Sequence, residues 1–132
     1  MSQIANMFVQ IKNAQAVGHE RVLVPFSKIK YALALILKER GFIADVEKKQ
    51  KKGKRVELPY IDIVLKYNDD RGVIHDIELV SKPSRRLYSP AKGIKQVKNG
   101  FGVVILSTSK GLLTGDEARK QGLGGELICN VW

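Results

Sequence analysis

An α+β fold made of two small modules is what the sequence predicts, on three observations. Apolar residues recur at helical spacing in residues 4–11 and again in 29–37. They alternate with polar residues from Tyr60 to Tyr67, as in a sheet with one buried face. Beyond Ser81-Lys82-Pro83-Ser84 the pattern changes to short strands separated by turns. The expected order is α-β-α-β-β-β in an amino-terminal module, residues 1–81, followed by a mainly β module with one short helix, residues 82–132.

In the first helix Ile4, Met7, Phe8 and Ile11 share a face, Asn6, Gln10, Lys12 and Asn13 lie between them, and the end falls near Gly18. Val22-Leu23-Val24 reads as a short strand stopped by Pro25, which has no amide to donate. Ser27 then caps a second helix whose expected apolar stripe is Ile29, Ala32, Leu33, Ile36 and Leu37. Lys38 and Arg40 suit its negative end, and Gly41 stands just past it. Phe42 to Glu47 resumes as a strand and runs into the basic stretch Lys48 to Arg55 around Gly53, an expected hairpin tip. That tip serves either as a solvated turn or as an arm touching phosphates. The strand from Tyr60 should turn at residues 68–72 and return from Val73 to Val80 as its partner.

In the second module Leu87-Tyr88 reads as a short strand, Ser89-Pro90 opens a brief helical turn through Lys95, and Asn99-Gly100 signals a tight hairpin. Val103 to Leu106 is a strand that delivers the polar loop Ser107-Thr108-Ser109-Lys110-Gly111. Thr114 can cap the next helix while Glu117, three residues on, reaches back to the cap's own amide. Gly122 supplies a left-handed terminus with Leu123 as its hydrophobic contact. Gly124 and Gly125 let the backbone pass close to a neighbour before Glu126 to Trp132 forms the last strand.

A chain of 132 residues with 44% hydrophobic content has material for a packed core. Its net charge of +10, from 23 Lys and Arg against 13 Asp and Glu, makes a polyanion the first partner to consider, because neutralising phosphates releases counterions. An anionic membrane surface is the second; no apolar run approaches the roughly 20 residues that span a bilayer, and no secretory signal opens the chain, so the expected compartment is the cytoplasm, with no membrane partner expected. The single cysteine, Cys129, has no partner for an intramolecular disulfide, and its neighbours Ile128 and Val131 suggest a packed thiol.

Catalytic readings find little support. Gly111-Leu112-Leu113-Thr114-Gly115 lacks the Gly-Lys-Ser/Thr ending of a phosphate-binding loop, and Gly100-Phe101-Gly102 lacks a third glycine and a following helix. A nucleophilic Ser107 or Ser109 would need a base, yet His19 and His75 fall in what reads as the other module. Two histidines and one cysteine give no zinc-ligand spacing, so no metal, cofactor or enzymatic activity is expected.

Nucleic-acid recognition suits the chain better. The hydroxyls of Ser107, Thr108 and Ser109 both donate and accept and are short enough for close approach, which fits the wide, shallow minor groove of A-form RNA. The plainer alternative is a turn whose hydroxyls cap their own backbone. Tyr88, flanked by Arg85-Arg86 and Lys92, could stack on a base or sugar while cations hold phosphates, or could simply be a buried tyrosine. Gly122, Gly124 and Gly125 are explained by helix termination and a tight turn, with room for an RNA backbone beside Glu126 as a second use.

Together the Ser-Thr-Ser-Lys-Gly loop at 107–111, the Thr-x-x-Glu-Ala-Arg helix from Thr114, Gly122-x-Gly124-Gly125-Glu126 and the terminal Cys129-x-Val131-Trp132 resemble the bacterial small-subunit ribosomal protein number eight family. Ile4 to Met7 and Ile11 to Ala14 are similar to that family's first helix, and the likeness in order and length covers essentially the whole chain. Ser2-Gln3 replaces the usual acidic-proline opening, and Asn6 stands where an aspartate is common. The resemblance implies a structural constituent of the small ribosomal subunit that binds a central-domain rRNA helix, supports assembly and touches neighbouring ribosomal proteins. Repression of its own operon's mRNA in some bacteria is also implied. On the same footing Ser107, Thr108, Ser109, Lys110, Arg86 and Tyr88 are the expected RNA contacts, with Gly124 and Glu126 beside them. The competing reading is a sequence-tolerant basic RNA chaperone outside the ribosome that works mainly through the 48–55 run.

Overall fold

In the computed structural model, residues 2–52, 57–95 and 102–132 are described, and they fall into two compact units, Gln3–Ile74 and His75–Trp132. Residues 53–55 of the basic stretch 48–55, predicted as a hairpin tip, and the Asn99-Gly100 turn lie outside the described residues.

The amino-terminal unit begins with α1, Ser2–Ala16, which buries Ile4, Met7, Phe8 and Ile11 as the spacing predicts. Next come β1, Arg21–Pro25, and α2, Lys28–Glu39. Ser27 caps α2 by accepting from the Lys30 amide at 3.2 Å, and Gly41 follows with φ of 82°. Two long strands, β2, Ile43–Lys52, and β3, Glu57–Leu65, complete a three-stranded antiparallel sheet in the order β1-β3-β2. Its inner face carries Val22, Val24, Val46, Ile61 and Ile63, all buried. Each such side chain contributes about 1.5–3 kcal/mol on leaving water, so this face and the helices' apolar faces account for the unit's cohesion.

The stripe on α2 departs from the expectation. Lys30, Leu33, Ala34, Ile36 and Leu37 are the buried positions, whereas Ile29 is 37% exposed. The helix is rotated so that a lysine, not the isoleucine beside it, faces inward.

The chain turns after β3 at residues 68–72 as predicted. Residues 67–72 form a small hairpin of β4, Tyr67–Asn68, and β5, Arg71–Gly72, with Asp69 and Asp70 in left-handed conformation at its tip. Gln15 ties α1 to this end, its Nε2 donating to the Ile74 carbonyl at 2.7 Å. A Cβ on Gly72 would sit 1.8 Å from Gln15 Cδ, so a side chain there would push Gln15 out of this tie.

The segment expected to return against β3 instead joins the other sheet: β6, Ile77–Leu79, pairs with the last strand through Ile77 opposite Val131 and Leu79 opposite Cys129. The carboxy-terminal unit continues with β7, Tyr88–Ser89, a 3-10 turn at Ala91–Gly93, β8, Val103–Thr108, β9, Gly111–Thr114, α3, Gly115–Gln121, and β10, Gly125–Val131. The sheet runs β6-β10-β8-β9, with β7 also on β10. Val103 to Leu106 are buried on both faces of β8, and Val104 and Leu106 pack with Ile94, Ala118, Leu113 and Leu127. Cys129 is fully buried, and desolvation pushes its thiol up to about 12, so at neutral pH it is a protonated core side chain.

Candidate nucleic-acid interface

The hydroxyl loop is a tight hairpin: Thr108 pairs with Gly111, and Ser109 and Lys110 form the turn. Gly111 takes the positive φ, 97°, that such a turn demands, which leaves Ser109 and Lys110 in ordinary conformations. Thr108 Oγ1 donates to the Gly111 carbonyl at 2.8 Å and accepts from the Lys110 amide at 3.1 Å. Its hydroxyl therefore holds the turn, as the plainer reading anticipates. Ser107 is half-buried and Ser109 exposed, and neither hydroxyl has a partner among the described residues. Lys110 is exposed beside them.

Helix α3 braces the far end of this hairpin. Thr114 Oγ1 accepts from the Glu117 amide at 3.3 Å while Glu117 Oε1 accepts from the Thr114 amide at 3.4 Å, the reciprocal cap read from the sequence. Gly122, with φ of 66°, ends the helix, and the Leu123 amide donates to the Ala118 carbonyl at 2.8 Å.

Register then assembles the site. Glu126 lies opposite Ser107 on one side and Tyr88 on the other. Directly opposed residues of antiparallel strands project to the same face, so Ser107, Glu126 and Tyr88 form one row. The two glycines make this possible. A Cβ at Gly125 would lie 2.2 Å from the Ser107 carbonyl oxygen, and one at Gly124 would lie 2.4 Å from that of Ser89. The space beside Gly124 is thus taken by the chain's own Ser89 and Pro90 backbone. A bulge between Leu127 and Cys129 separates the phase of this end of β10 from the buried end.

Tyr88 is 68% exposed, so the buried-tyrosine alternative does not hold. Glu126 is nearly covered: its Oε1 lies 3.7 Å from Arg86 Nη1, and its Oε2 is buried with no hydrogen-bond partner among the described residues. A carboxylate with an unused acceptor, in one row with the Ser107 hydroxyl and an open aromatic ring, is a surface built to receive donors. Arg85 and Arg86 add positive charge at the same edge.

One residue here was not singled out in the sequence. Ser81, fully buried, donates to the Leu87 carbonyl at 3.3 Å and accepts from the Leu87 amide at 3.0 Å, closing a small loop in which Lys82 and Arg85 exchange backbone bonds at 2.9 Å. This tie sets the point at which Arg86 and Tyr88 rejoin β10. The turn-rich Ser81-Lys82-Pro83-Ser84 was its only signal.

His75 lies in the same unit as the serines, contrary to the placement its position in the sequence suggested, with its amide on the Trp132 carbonyl at 2.6 Å. Yet Val131 opposes Val103 while Glu126 opposes Ser107, so that end of the sheet is four residues, about 13 Å, from Ser107. Among the described residues no helix is long and apolar enough to cross a membrane, and no three His, Cys, Asp or Glu side chains are grouped to hold a metal.

A model of the family described as ribosomal protein S8 matches residues 2–132. A protein of Anaeromyxobacter sp. (strain Fw109-5) named small ribosomal subunit protein uS8 is 48% identical over 98% of this chain and 96% of its own length. Its namesakes in Clostridium novyi (strain NT), 45% identical, and Borreliella burgdorferi (strain ZS7), 40% identical, cover 98% of the chain and 95% and 96% of their own lengths.

Proposed function

The chain belongs to the ribosomal protein S8 family, and from that premise we propose that it is a structural constituent of the small ribosomal subunit, binding a central-domain rRNA helix directly and supporting its assembly. The role is positional, without catalysis, in a cytoplasmic particle where neighbouring ribosomal proteins are further partners. Its carboxy-terminal unit, including residues 82–132, is the RNA-binding module.

The observation that carries this reading is the row Ser107, Glu126 and Tyr88, which offers hydroxyls, an unused buried acceptor and an open ring on one face. Ser107 and Ser109 exchange hydrogen bonds with 2′-hydroxyls or base edges in the minor groove. Glu126 Oε2 accepts from a base amino group or a 2′-hydroxyl, while Arg86 offsets its repulsion of phosphate. Tyr88 stacks, Lys110 and Arg86 meet phosphates, and Thr108 and Gly124 act by holding the loop and strands in shape. Binding of the chain's own operon mRNA follows if that transcript presents the same surface.

Competition binding at several salt concentrations, with a central-domain rRNA fragment against a generic duplex, tests the reading. A preference for the fragment that persists as salt rises is expected. Equal affinity for both would overturn it. Loss of all binding on substituting Lys48, Lys49, Lys51 and Lys52 would favour a sequence-tolerant chaperone instead.

A further inference from the structure

We propose that Ser81, a buried residue that touches no ligand, is a positioning residue for recognition: its hydroxyl sets how Arg86 and Tyr88 are presented beside Glu126, and with that the selectivity between RNA surfaces. This rests on the RNA-binding role proposed above. The strands involved are one edge strand, interrupted. The Val80 amide donates to the Ile128 carbonyl at 3.0 Å, and the Leu127 amide donates to the Leu87 carbonyl at 2.8 Å. Adjacent positions of β10 thus meet residues 80 and 87, and residues 81–86 are looped out between them. An insertion of this kind in an edge strand re-aims the side chains that follow it. Those side chains are Arg86, at the neck of the loop, and Tyr88, opposite Glu126.

Ser81 closes that neck. Its Oγ donates to the Leu87 carbonyl at 3.3 Å and accepts from the Leu87 amide at 3.0 Å. The amide belongs to the planar peptide unit shared with Arg86, and the carbonyl to the one shared with Tyr88. A single hydroxyl therefore orients the backbone under the guanidinium, whose Nη1 lies 3.7 Å from Glu126 Oε1, and under the exposed ring. The tip of the loop is held separately, by the two backbone bonds between Lys82 and Arg85. In Ser81→Ala the Leu87 carbonyl keeps the Leu127 amide, whereas the Leu87 amide has no other acceptor among the described residues. A covered donor without a partner is costly, so the chain at Leu87 relaxes outward and carries Arg86 and Tyr88 with it. The pairing of β10 with β6 and β8 does not involve this hydroxyl and stays as it is.

The test is a double-mutant cycle on the full chain, read as affinity for the central-domain rRNA fragment and for a generic duplex, well below the melting temperature of every variant. Ser81→Ala should weaken fragment binding by about 3- to 10-fold and duplex binding by less than about 2-fold. In an Arg86→Ala, Tyr88→Ala background the same change should cost the fragment less than about 2-fold, because nothing is left for Ser81 to aim. An undiminished loss in that background, or equal losses for fragment and duplex, overturns the proposal and leaves the RNA-binding role standing. A wild type that binds both RNAs equally overturns that role and this proposal with it. Amide hydrogen exchange checks the tie without RNA: the Leu87 amide should be protected in wild type and lose protection in Ser81→Ala, while the Val80 and Leu127 amides keep theirs. A freely exchanging Leu87 amide in wild type overturns the proposal whatever the RNA does. Should Ser81→Ala not fold, Ser81→Cys, close in size and weaker in both bonds, takes its place in the cycle, with a smaller loss confined to the background that retains Arg86 and Tyr88.

Discussion

Asp62 and Glu126 are both well-covered carboxylates on a sheet, one in each unit, and each has one buried oxygen without a hydrogen-bond partner among the described residues; they differ in what holds the other oxygen. Asp62 Oδ2 receives Lys49 Nζ at 2.7 Å and Arg21 Nη1 at 2.8 Å, so the amino-terminal unit turns two of its cations onto its own acid. Glu126 Oε1 has, among the described residues, the Arg86 guanidinium at 3.7 Å, beyond hydrogen-bonding distance. Two close cations offset the burial of Asp62, whereas Glu126 is compensated less within the chain and gains more from a donor supplied by a ligand. Net charge therefore misleads about where recognition lies. Cations answered within the chain are less available to phosphates than a few groups left open.

The sharpest way to break the contrast is at the strand contact beneath Glu126. Gly125→Ala drives a methyl into the Ser107 carbonyl and should destabilise the carboxy-terminal unit by about 2–3 kcal/mol, read by thermal denaturation, with loss of fragment binding. The double variant Ser107→Ala, Ser109→Ala should leave melting unchanged, since neither hydroxyl has a partner among the described residues, yet weaken binding to the rRNA fragment by about 1–3 kcal/mol. Binding to a generic duplex should scarcely move.

The two carboxylates then separate in sign. Glu126→Met should keep or raise the melting temperature while lowering fragment affinity, whereas Asp62→Asn should lower stability by roughly 1 kcal/mol with fragment affinity nearly constant. Asp62 also predicts a pH dependence. The Lys49 hydrogen bond, against an opposing effect of burial and with help from Arg21, holds its carboxyl below the ordinary range. A carboxyl whose folded pKa lies below its unfolded one stabilises above the unfolded value, near pH 4 by analogy with free aspartate, and that contribution disappears as pH falls through the folded value. Acid melts of wild type should lose stability there more steeply than those of Asp62→Asn; parallel curves would refute the assignment.

Local chemistry was what the sequence disclosed well. The reciprocal cap of Thr114 and Glu117, the left-handed Gly122 and the Ser27 cap depend on residues within a few positions of each other, and all stand as read. Pairings across distance were harder. Ile77–Leu79 alternates as well for β3 as for β10, and nothing near it in the chain says which strand it meets. Nor does spacing show that Tyr88, Ser107 and Glu126 share a row, because register alone brings them together. The glycine pair was visible, but what crowds it was not. On α2 hydropathy favoured Ile29 over Lys30, and the observed rotation, which leaves an open cleft beside the lysine, reversed that order.

A crystal structure of the chain bound to the central-domain rRNA fragment tests the central claim most directly. Ser107 and Ser109 should lie within hydrogen-bonding distance of the minor-groove surface, with an RNA donor on Glu126 Oε2. A complex in which residues 107–110 face solvent while RNA sits elsewhere would contradict it.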